Sequence, residues 1–299
     1  MGTGLRRAVV ALLFSATALA LSSTGKAAPN LPDLAEEIGE ALIRPRYGYY
    51  SVGPHRWFLS TKSDLGLPYV KPFFSFGYGM PHWMWVGVDV NAIATLEFVQ
   101  GYVGLRAASP IFDLALGVRD TQSYYKPFLA PAPTYTYDDV LNGSTPKARY
   151  WAWEVEAVAI APFPYSALLL DLVMVRTLDV PDGKYVYDES YRAIVADPFF
   201  AVLRAAALVR FLNENSLKVG CLLESVFSTG RDHTVIRLGP VASIAITDHL
   251  EALGALTMPV RSPDALGPVL GSYGIAGLRY RWATGEPAPK LPWQGRLIP

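Results

Sequence analysis

The feature that most constrains this fold is a series of segments, in the last third of the chain, in which apolar residues recur at every second position. Residues 216–227 and 249–258 show this pattern, and 234–247 show it over the longest stretch, with the apolar set Ile236, Leu238, Ala242, Ile244 and Ile246. Successive side chains of a strand point to opposite faces, so each segment is a ribbon with one apolar surface. The pattern is typical of a transmembrane β-barrel, in which that surface meets lipid and the other lines a lumen.

The composition points to the same class of protein. The chain has 51% hydrophobic and only 17% charged residues, with a mean hydropathy of +0.22, whereas a soluble domain carries about 25% charged residues. Beyond the N-terminus there is no stretch of 18 uncharged apolar residues, so helical membrane spans are not expected. Only helices and closed barrels satisfy all backbone groups in lipid, which favours a barrel. A net charge of zero with scattered Lys and Arg argues against nucleic acid.

The first 27 residues have the pattern of a secretory signal peptide. Arg6 and Arg7 precede an apolar run over residues 8–21, and Gly25-Lys26-Ala27 forms a small-residue cleavage context. We expect cleavage after Ala27. A retained N-terminal anchor is the alternative, but the apolar run is short for a span.

Residues 28–45 are predicted to form a short amphipathic helix. Apolar residues recur at helical spacing over 31–43, Asp33 and Glu36 resemble a capping box, and Pro45 ends the helix. We interpret it as a periplasmic lead-in, with a partial plug of the barrel as the alternative.

The barrel itself is predicted over residues 46–283, as an all-β antiparallel barrel of about 12 strands. The strand centres are 47–61, 68–79, 83–90, 95–106, 111–118, 149–160, 165–177, 199–212, 216–227, 234–247, 249–258 and 273–282. Short connections (107–110, 161–164, 213–215 and 247–248) alternate with long ones (119–147, 178–198 and 259–272), as expected for short periplasmic turns and long outer loops. Residues 284–299 are a Pro-rich tail, expected in the periplasm.

Aromatic residues cluster at the ends of these strands. They are Tyr47, Tyr49, Tyr50, Trp83, Trp85, Tyr150, Trp151, Trp153, Tyr280 and Trp282. Tyr and Trp rings are amphipathic and are enriched at the two membrane–water interfaces, so these residues are predicted to form aromatic belts. Buried core aromatics of a soluble β-protein are the alternative.

The final strand carries a family resemblance. Ile275, Gly277, Tyr280 and Trp282 have the spacing of the C-terminal assembly signal of outer-membrane barrel proteins. The chain departs from that signal in having Ile275 where a polar residue is usual, and in continuing beyond Trp282. At the level of class, the chain resembles Gram-negative outer-membrane β-barrel proteins. The resemblance implies a location in the outer membrane, contact with its lipids, and recognition of residues 275–282 by the barrel assembly machinery.

The sequence offers little for catalysis, metal binding or a cofactor. Outer-membrane lipases carry His and Ser two residues apart on one strand, but no Ser follows His55, His82, His233 or His249 at that distance. The best remaining catalytic candidates are His233 and His249, each with a neighbouring acid. For both histidines we prefer a role in capping turns. No histidine pair has ligand spacing. We interpret Asp138, Asp139, Asp182, Asp188 and Glu189 as solvated acids of the outer loops, and Cys221 as a lipid-facing small hydrophobe.

The candidate site is the lumen, where the parity of the strands gathers charge. It places acids inside strands three to seven (Asp89, Glu97, Asp113, Glu154, Glu156 and Asp171) and bases inside strands eight to 12 (Arg204, Arg210, Lys218, Arg237, Arg279 and Arg281), with Glu224 and Glu251 among the bases. An acidic wall facing a basic wall would create a transverse field, as in selective pores. The alternative is an interior in which ion pairs simply neutralise one another.

These patterns predict an outer-membrane barrel that passes or binds small polar solutes through a charge-lined lumen. Such a barrel needs no cofactor and no catalytic residue. Two other functions stay open: a lipid-modifying enzyme of the outer membrane, and a non-conducting barrel that anchors or scaffolds other envelope components.

Overall fold

The computed structural model describes residues 55–141, 147–163, 166–196, 198–211, 217–231, 234–247 and 249–285. The predicted signal peptide, the predicted helix over 28–45 and all but the first two residues of the predicted tail lie outside these ranges.

The described chain forms a closed antiparallel β-barrel. Its strands are β1 (Arg56–Leu67), β2 (Tyr69–Lys71), β3 (Phe73–Met80), β4 (Met84–Thr95), β5 (Phe98–Ala108), β6 (Phe112–Pro127), β7 (Lys147–Pro162), β8 (Ser166–Leu178), β11 (Phe199–Phe211), β12 (Leu217–Ser228), β13 (Thr234–Ala245), β14 (Leu250–Arg261) and β15 (Tyr273–Ala283). β9 (Tyr185–Asp188) and β10 (Ala193–Ala196) form a separate two-stranded sheet.

The barrel has 12 strand positions. The sheet contains 13 strands, but β2 and β3 both lie between β1 and β4, one on each side of Pro72, and share one position. β1 closes the ring by pairing with β15, from Ser60↔Ala283 to Leu67↔Ala276. Closure leaves no sheet edge, which is what a strand-built membrane span requires. The predicted antiparallel barrel of 12 strands is confirmed.

The predicted parity of the strands is confirmed where it can be read most clearly, on β8. Leu170, Leu172 and Met174 are exposed on the outer surface, whereas Asp171 and Val173 between them are buried. Cys221 also lies exposed on the outer face, as predicted. Along this part of β8 the outer surface is therefore apolar, and the charged Asp171 is directed into the barrel.

The prediction of aromatic belts is only partly right. Trp151, Trp153, Tyr280 and Trp282 are exposed on the outer surface, but Trp85 and Tyr150 are buried inside the barrel. The reason is parity, since Trp85 lies four residues before the inward Asp89 and Tyr150 four residues before the inward Glu154. Whether an aromatic residue is exposed depends more on the face of the strand on which it lies than on its distance from the strand end.

Three long connections lie at one end of the barrel, because antiparallel strands alternate direction. The β6–β7 connection contains helix α1 (Tyr137–Leu141), the β8–β11 connection contains the β9–β10 hairpin, and the β14–β15 connection contains helix α2 (Gly267–Gly271). Within the described ranges, no helix is long and apolar enough to cross a membrane.

The outward parity predicts a depth-dependent cost for charge on the outer face. Leu170 pairs with Ala205, the central residue of β11. We expect Leu170→Arg to lower the free energy of unfolding by about 2–4 kcal/mol in lipid vesicles, as for Arg near the bilayer midplane. Val260, exposed beside the last residue of β14, supplies the matched control. Val260→Arg should cost about 1 kcal/mol or less, as near an interface. Equal costs in urea titrations would contradict the assignment.

Candidate functional site in the barrel interior

The β9–β10 hairpin folds into the barrel. Val186–Tyr191 and Ala193–Ala196 are buried without a break, and the two strands pair from Ala193↔Asp188 to Ala196↔Tyr185. The prediction that 178–198 is an exposed outer loop is therefore wrong for the hairpin, although Pro181–Lys184 at its base is exposed. A hairpin buried on both faces must have protein on both sides.

The two faces of the hairpin contact different apolar surfaces. Val186, Ala193 and Val195 belong to a cluster with inward residues of the barrel wall, which include Tyr150, Val173, Val175, Phe200, Val202, Val226 and Val235. Tyr187 and Ile194 belong to a second cluster, formed with residues of the other long loops: Leu129, Tyr135, Val140, Leu266 and Leu270. The hairpin is thus packed between the wall and a cap made by the outer loops.

The tip of the hairpin is fixed by buried ion pairs. The Arg119 guanidinium lies 2.7 Å from an Asp188 carboxylate oxygen, which also accepts a hydrogen bond of 2.8 Å from the Tyr150 hydroxyl. The Lys126 ammonium lies 2.7 Å from the Glu189 carboxylate. Asp188 and Glu189 are 0% and 2% exposed, so their interpretation as solvated loop acids is wrong. Their burial instead attaches the hairpin to β6.

A second set of contacts holds the other side of the tip. Arg237 donates hydrogen bonds to the backbone carbonyls of Tyr191, at 3.0 Å, and of Arg192. The Tyr191 ring lies between two guanidinium groups, with Arg119 and Arg204 at 5.5 and 5.3 Å from its centroid. Cations over an aromatic face are attracted by its quadrupole. The tip is therefore anchored to β6 on one side and to β11 and β13 on the other.

The predicted lumen charges lie in ion-pair groups. Arg106 contacts Asp89, Asp113 and Glu156, and Arg119 also contacts Glu154 at 3.6 Å. Glu224 bridges Arg204 and Arg237, with Asp171 3.4 Å from Arg204. Glu251 bridges Lys218 and Arg281, and Arg279 makes a two-pronged contact with Asp64. The side chain of Arg210 lies outside the described parts of the chain. The role of these residues in binding stays a prediction.

The division into an acidic and a basic wall is wrong in its simple form. Arg106 and Arg119 lie among the acids, and Asp64 lies among the bases. Glu97 lies in the β4–β5 turn rather than on a strand, where its carboxylate contacts Lys126 at 2.7 Å. Arg106 still has three carboxylates around it, so the net charge remains different from one part of the wall to another.

Sequence reasoning missed several of these residues. Arg119 and Lys126 were assigned to a loop because the fifth predicted strand, 111–118, was ended at Val118, whereas β6 continues to Pro127. The alternation of buried Arg119, Thr121 and Ser123 with outward neighbours was a usable signal, but all of these residues are polar. The hairpin had a signal too, since Tyr185–Tyr187 and Ala193–Ala196 are too apolar for a solvated loop.

The histidines contact backbone carbonyls. The His82 ring lies 3.2 Å from the Trp282 carbonyl oxygen, and the His249 ring lies 2.9 Å from that of Arg281. Both therefore link turns to the end of β15. His233, the other residual catalytic candidate, lies outside the described residues.

One polar pocket lies beside the hairpin tip. Its lining residues are Lys62, Asp64, Lys71, Phe73, Asn91, Gln100, Tyr102, Arg106, Glu154 and Arg279. Gln100 accepts a hydrogen bond of 2.7 Å from Ser190 of the tip. The pocket therefore lies next to the hairpin tip, and its lining residues come mainly from β1, β2, β4, β5 and β15.

Two paired glycines leave space for a tyrosine ring against the wall of the pocket. Gly104 on β5 pairs with Gly117 on β6, and a Cβ atom at either position would come within 2.6 Å of the Tyr102 side chain. The absence of side chains lets the Tyr102 ring lie against the wall instead of projecting across the pocket.

No protein-family model and no curated protein matches the chain. Solved structures align with it at low identity. The KdgM porin has 10% identity and a TM-score of 0.37, with 75% of this chain and 98% of that chain covered. The translocator domain of autotransporter NalP from Neisseria meningitidis has 12% identity and a TM-score of 0.36, with 89% and 99% covered. A loop-deletion mutant of OmpT, an outer membrane protein of Vibrio cholerae, has 7% identity and a TM-score of 0.35, with 78% and 100% covered.

Glu189 predicts a pH dependence of hairpin docking. Burial raises the pKa of its carboxyl to about 7, against the opposing attraction of Lys126 and a hydrogen bond from Ser123. A raised pKa means that the docked tip binds the proton more tightly than the released tip. Docking is therefore strongest at acidic pH and weakens as the pH rises through about 7.

Proteolysis of the folded barrel measures this effect. Proteinase K should cut within residues 185–196 faster at about pH 8.5 than at about pH 6, after correction for its activity on an unfolded substrate. Glu189→Gln, which has no charge to titrate, should remove most of the difference. Equal corrected rates for the wild type at both pH values would show that Glu189 does not control docking.

The buried pair at the tip should matter far more than a surface pair. Arg119→Met leaves Asp188 and Glu154 buried without that cation and should cost about 3–5 kcal/mol of folding free energy. The matched control is Arg149, which pairs with Asp120 at 2.9 Å while 59% exposed. Arg149→Met should cost less than about 1 kcal/mol. Similar losses in urea unfolding would contradict the proposed anchoring of the tip.

Proposed function

We propose that this protein is an outer-membrane β-barrel that passes small polar solutes through the part of its lumen that the hairpin leaves free. The observation that carries the proposal is the polar pocket that remains beside the docked β9–β10 hairpin. The hairpin packs on inward residues of β7, β8, β11, β12 and β13, while the pocket is lined mainly by residues of β1, β2, β4, β5 and β15. A plug that only stabilised the barrel would not need a charged pocket next to it.

The width of the barrel supports this proposal. An eight-stranded barrel is just filled by its own side chains, so 12 strand positions enclose more space than the wall residues fill. The hairpin narrows this space, and its polar tip lies next to the remaining pocket through the Ser190–Gln100 hydrogen bond. A constriction lined by fixed polar groups selects solutes by size and charge.

The chemistry of the interior supports polar rather than apolar solutes. The pocket presents two lysines, two arginines, two carboxylates, two amides and the Tyr102 hydroxyl, with Phe73 as its one wholly apolar lining residue. Such groups can replace water around a charged or hydroxylated solute, which lowers the cost of removing its hydration shell. The outer membrane is the proposed location because the apolar outer face needs lipid, and closed barrels satisfy the backbone there.

Single-channel recording with a hairpin variant tests the proposal. Residues 182–195 are replaced by a Gly-Ser linker of equal length, so that the strands on either side keep the same connection. The wild type should show small conductance steps, and the variant should show steps several times larger because the constriction is removed. Replacing only the exposed Asp182–Lys184 with Gly-Ser residues is the matched control and should leave the wild-type conductance unchanged.

Two outcomes would contradict the proposal. If neither the wild type nor the linker variant conducts, the barrel is closed for another reason, and an anchoring role or an enzymatic one gains weight. If all three proteins conduct equally, the hairpin is not the constriction. Retention of the folded barrel is checked by its heat-dependent migration in detergent gels.

A further inference from the structure

We infer that the lumen contains a binding site for a small oxyanion, such as the carboxylate of a polar organic acid, with Lys62 as its central contact. The inference deepens the proposed function by giving the charge of the solute, and it depends on that function only for its biological meaning. The argument rests on a local excess of positive charge, on the position of Lys62 and on the pocket in front of it.

The excess of positive charge lies on one part of the wall, between β12 and β2 in the order of the strands. We define the cationic sector as Lys62 and Asp64 on β1, Lys71 on β2, Lys218 on β12, Glu251 on β14, and Arg279 and Arg281 on β15. It contains five cations and two carboxylates, so three positive charges exceed the negative ones. Asp64 is engaged by Arg279 at 2.7 and 2.9 Å, and Glu251 by Lys218 and Arg281 at 3.0 and 2.8 Å. Both acids are therefore already occupied.

Lys62 is the cation in this sector that lacks a carboxylate. Within the described residues it forms no ion pair, and its ammonium lies 5.5 Å from the centroid of the Phe73 ring. Across the closing seam of the barrel it stands directly opposite Arg281. Like charges facing each other across two strands are destabilising. An anion bound at Lys62 would add an attraction that offsets this repulsion.

The pocket gives the anion further donors. Lys62 lines it together with Lys71, Arg279, Asn91 and Gln100, and the pocket's two carboxylates are those of Asp64 and Glu154. Arg279 is held in place by Asp64, so it presents a fixed guanidinium rather than a mobile one. The amides can bind hydroxyl groups beyond the charged end of a solute. The site thus fits a hydroxylated carboxylate better than a bare inorganic ion.

Binding to the purified full-length protein in detergent, measured by titration calorimetry, tests the inference without requiring conductance. D-gluconate is the probe, and sorbitol is its neutral match, since it keeps the hydroxylated chain and lacks the carboxylate. The wild type should bind gluconate at least tenfold more tightly than sorbitol, and the affinity should fall at high salt because the attraction is screened.

Variants of Lys62 locate the site. Lys62→Met should weaken gluconate binding at least tenfold, whereas Lys62→Arg, which keeps the charge, should retain most of it. Lys184→Met, an exposed lysine at the base of the hairpin, should bind like the wild type. If Lys62→Met does not fold, Lys62→Gln, which keeps a polar side chain but has no charge, supplies the same test.

Each remaining result overturns the inference. They are equal binding of gluconate and sorbitol, unchanged gluconate binding in folded Lys62→Met, and no gluconate binding by a wild type that conducts. That last result would overturn the anion site and leave the proposed passage standing. Gluconate binding by a barrel that does not conduct would support the site and contradict the passage.

Discussion

The structure depends on one constraint, which is that charged side chains turned into the barrel must be paired. A 12-position barrel directs every second residue of each strand inward. Arg119, Arg204 and Arg237 are among the largest fully buried side chains of the described chain. Removing such a charge from water costs several kcal/mol even after relaxation, unless a partner and further hydrogen bonds compensate. The arrangement of the interior follows from how these partners are supplied.

The hairpin is one of the suppliers. Asp188 and Glu189 bring carboxylates to Arg119 and Lys126, and the carbonyls of Tyr191 and Arg192 accept hydrogen bonds from Arg237. Hairpin and wall therefore stabilise each other, because without the hairpin Arg119, Lys126 and Arg237 would each lose buried polar partners. This explains why the β9–β10 hairpin of the long β8–β11 connection lies inside the barrel. The cationic sector is the exception, since its acids do not balance its bases, and a solute can supply the missing charge.

The architecture of the wall was predictable from the sequence because the period-two pattern is a local property. Strands such as β8 alternate Leu168, Leu170 and Leu172 with inward residues, and this pattern needs no knowledge of distant contacts. The constriction was not predictable in the same way. Asp188 contacts Arg119 across 69 positions of the sequence, and no local pattern tells whether a loop points outward or folds back.

The lumen charges show the same division between local and distant information. The inward direction of Glu154, Glu156 and Asp171 followed from parity and is confirmed by their burial. Which charges meet was set by the register of neighbouring strands and by the end of β6, and this placed Arg106 and Arg119 among the acids. The sequence therefore indicated the inward faces, while pairing across strands determined the electrostatics.

The central claim is that the β9–β10 hairpin lies docked in the lumen, and hydrogen exchange of the folded protein in lipid tests it most directly. The backbone amides of Tyr185–Asp188 and Ala193–Ala196 should exchange as slowly as those of the barrel strands, because they are buried and paired. Asp182 and Gly183, exposed in the turn that precedes β9, are the internal reference for a surface loop. Exchange of the hairpin amides as fast as in that reference would contradict the docked hairpin and the constriction derived from it.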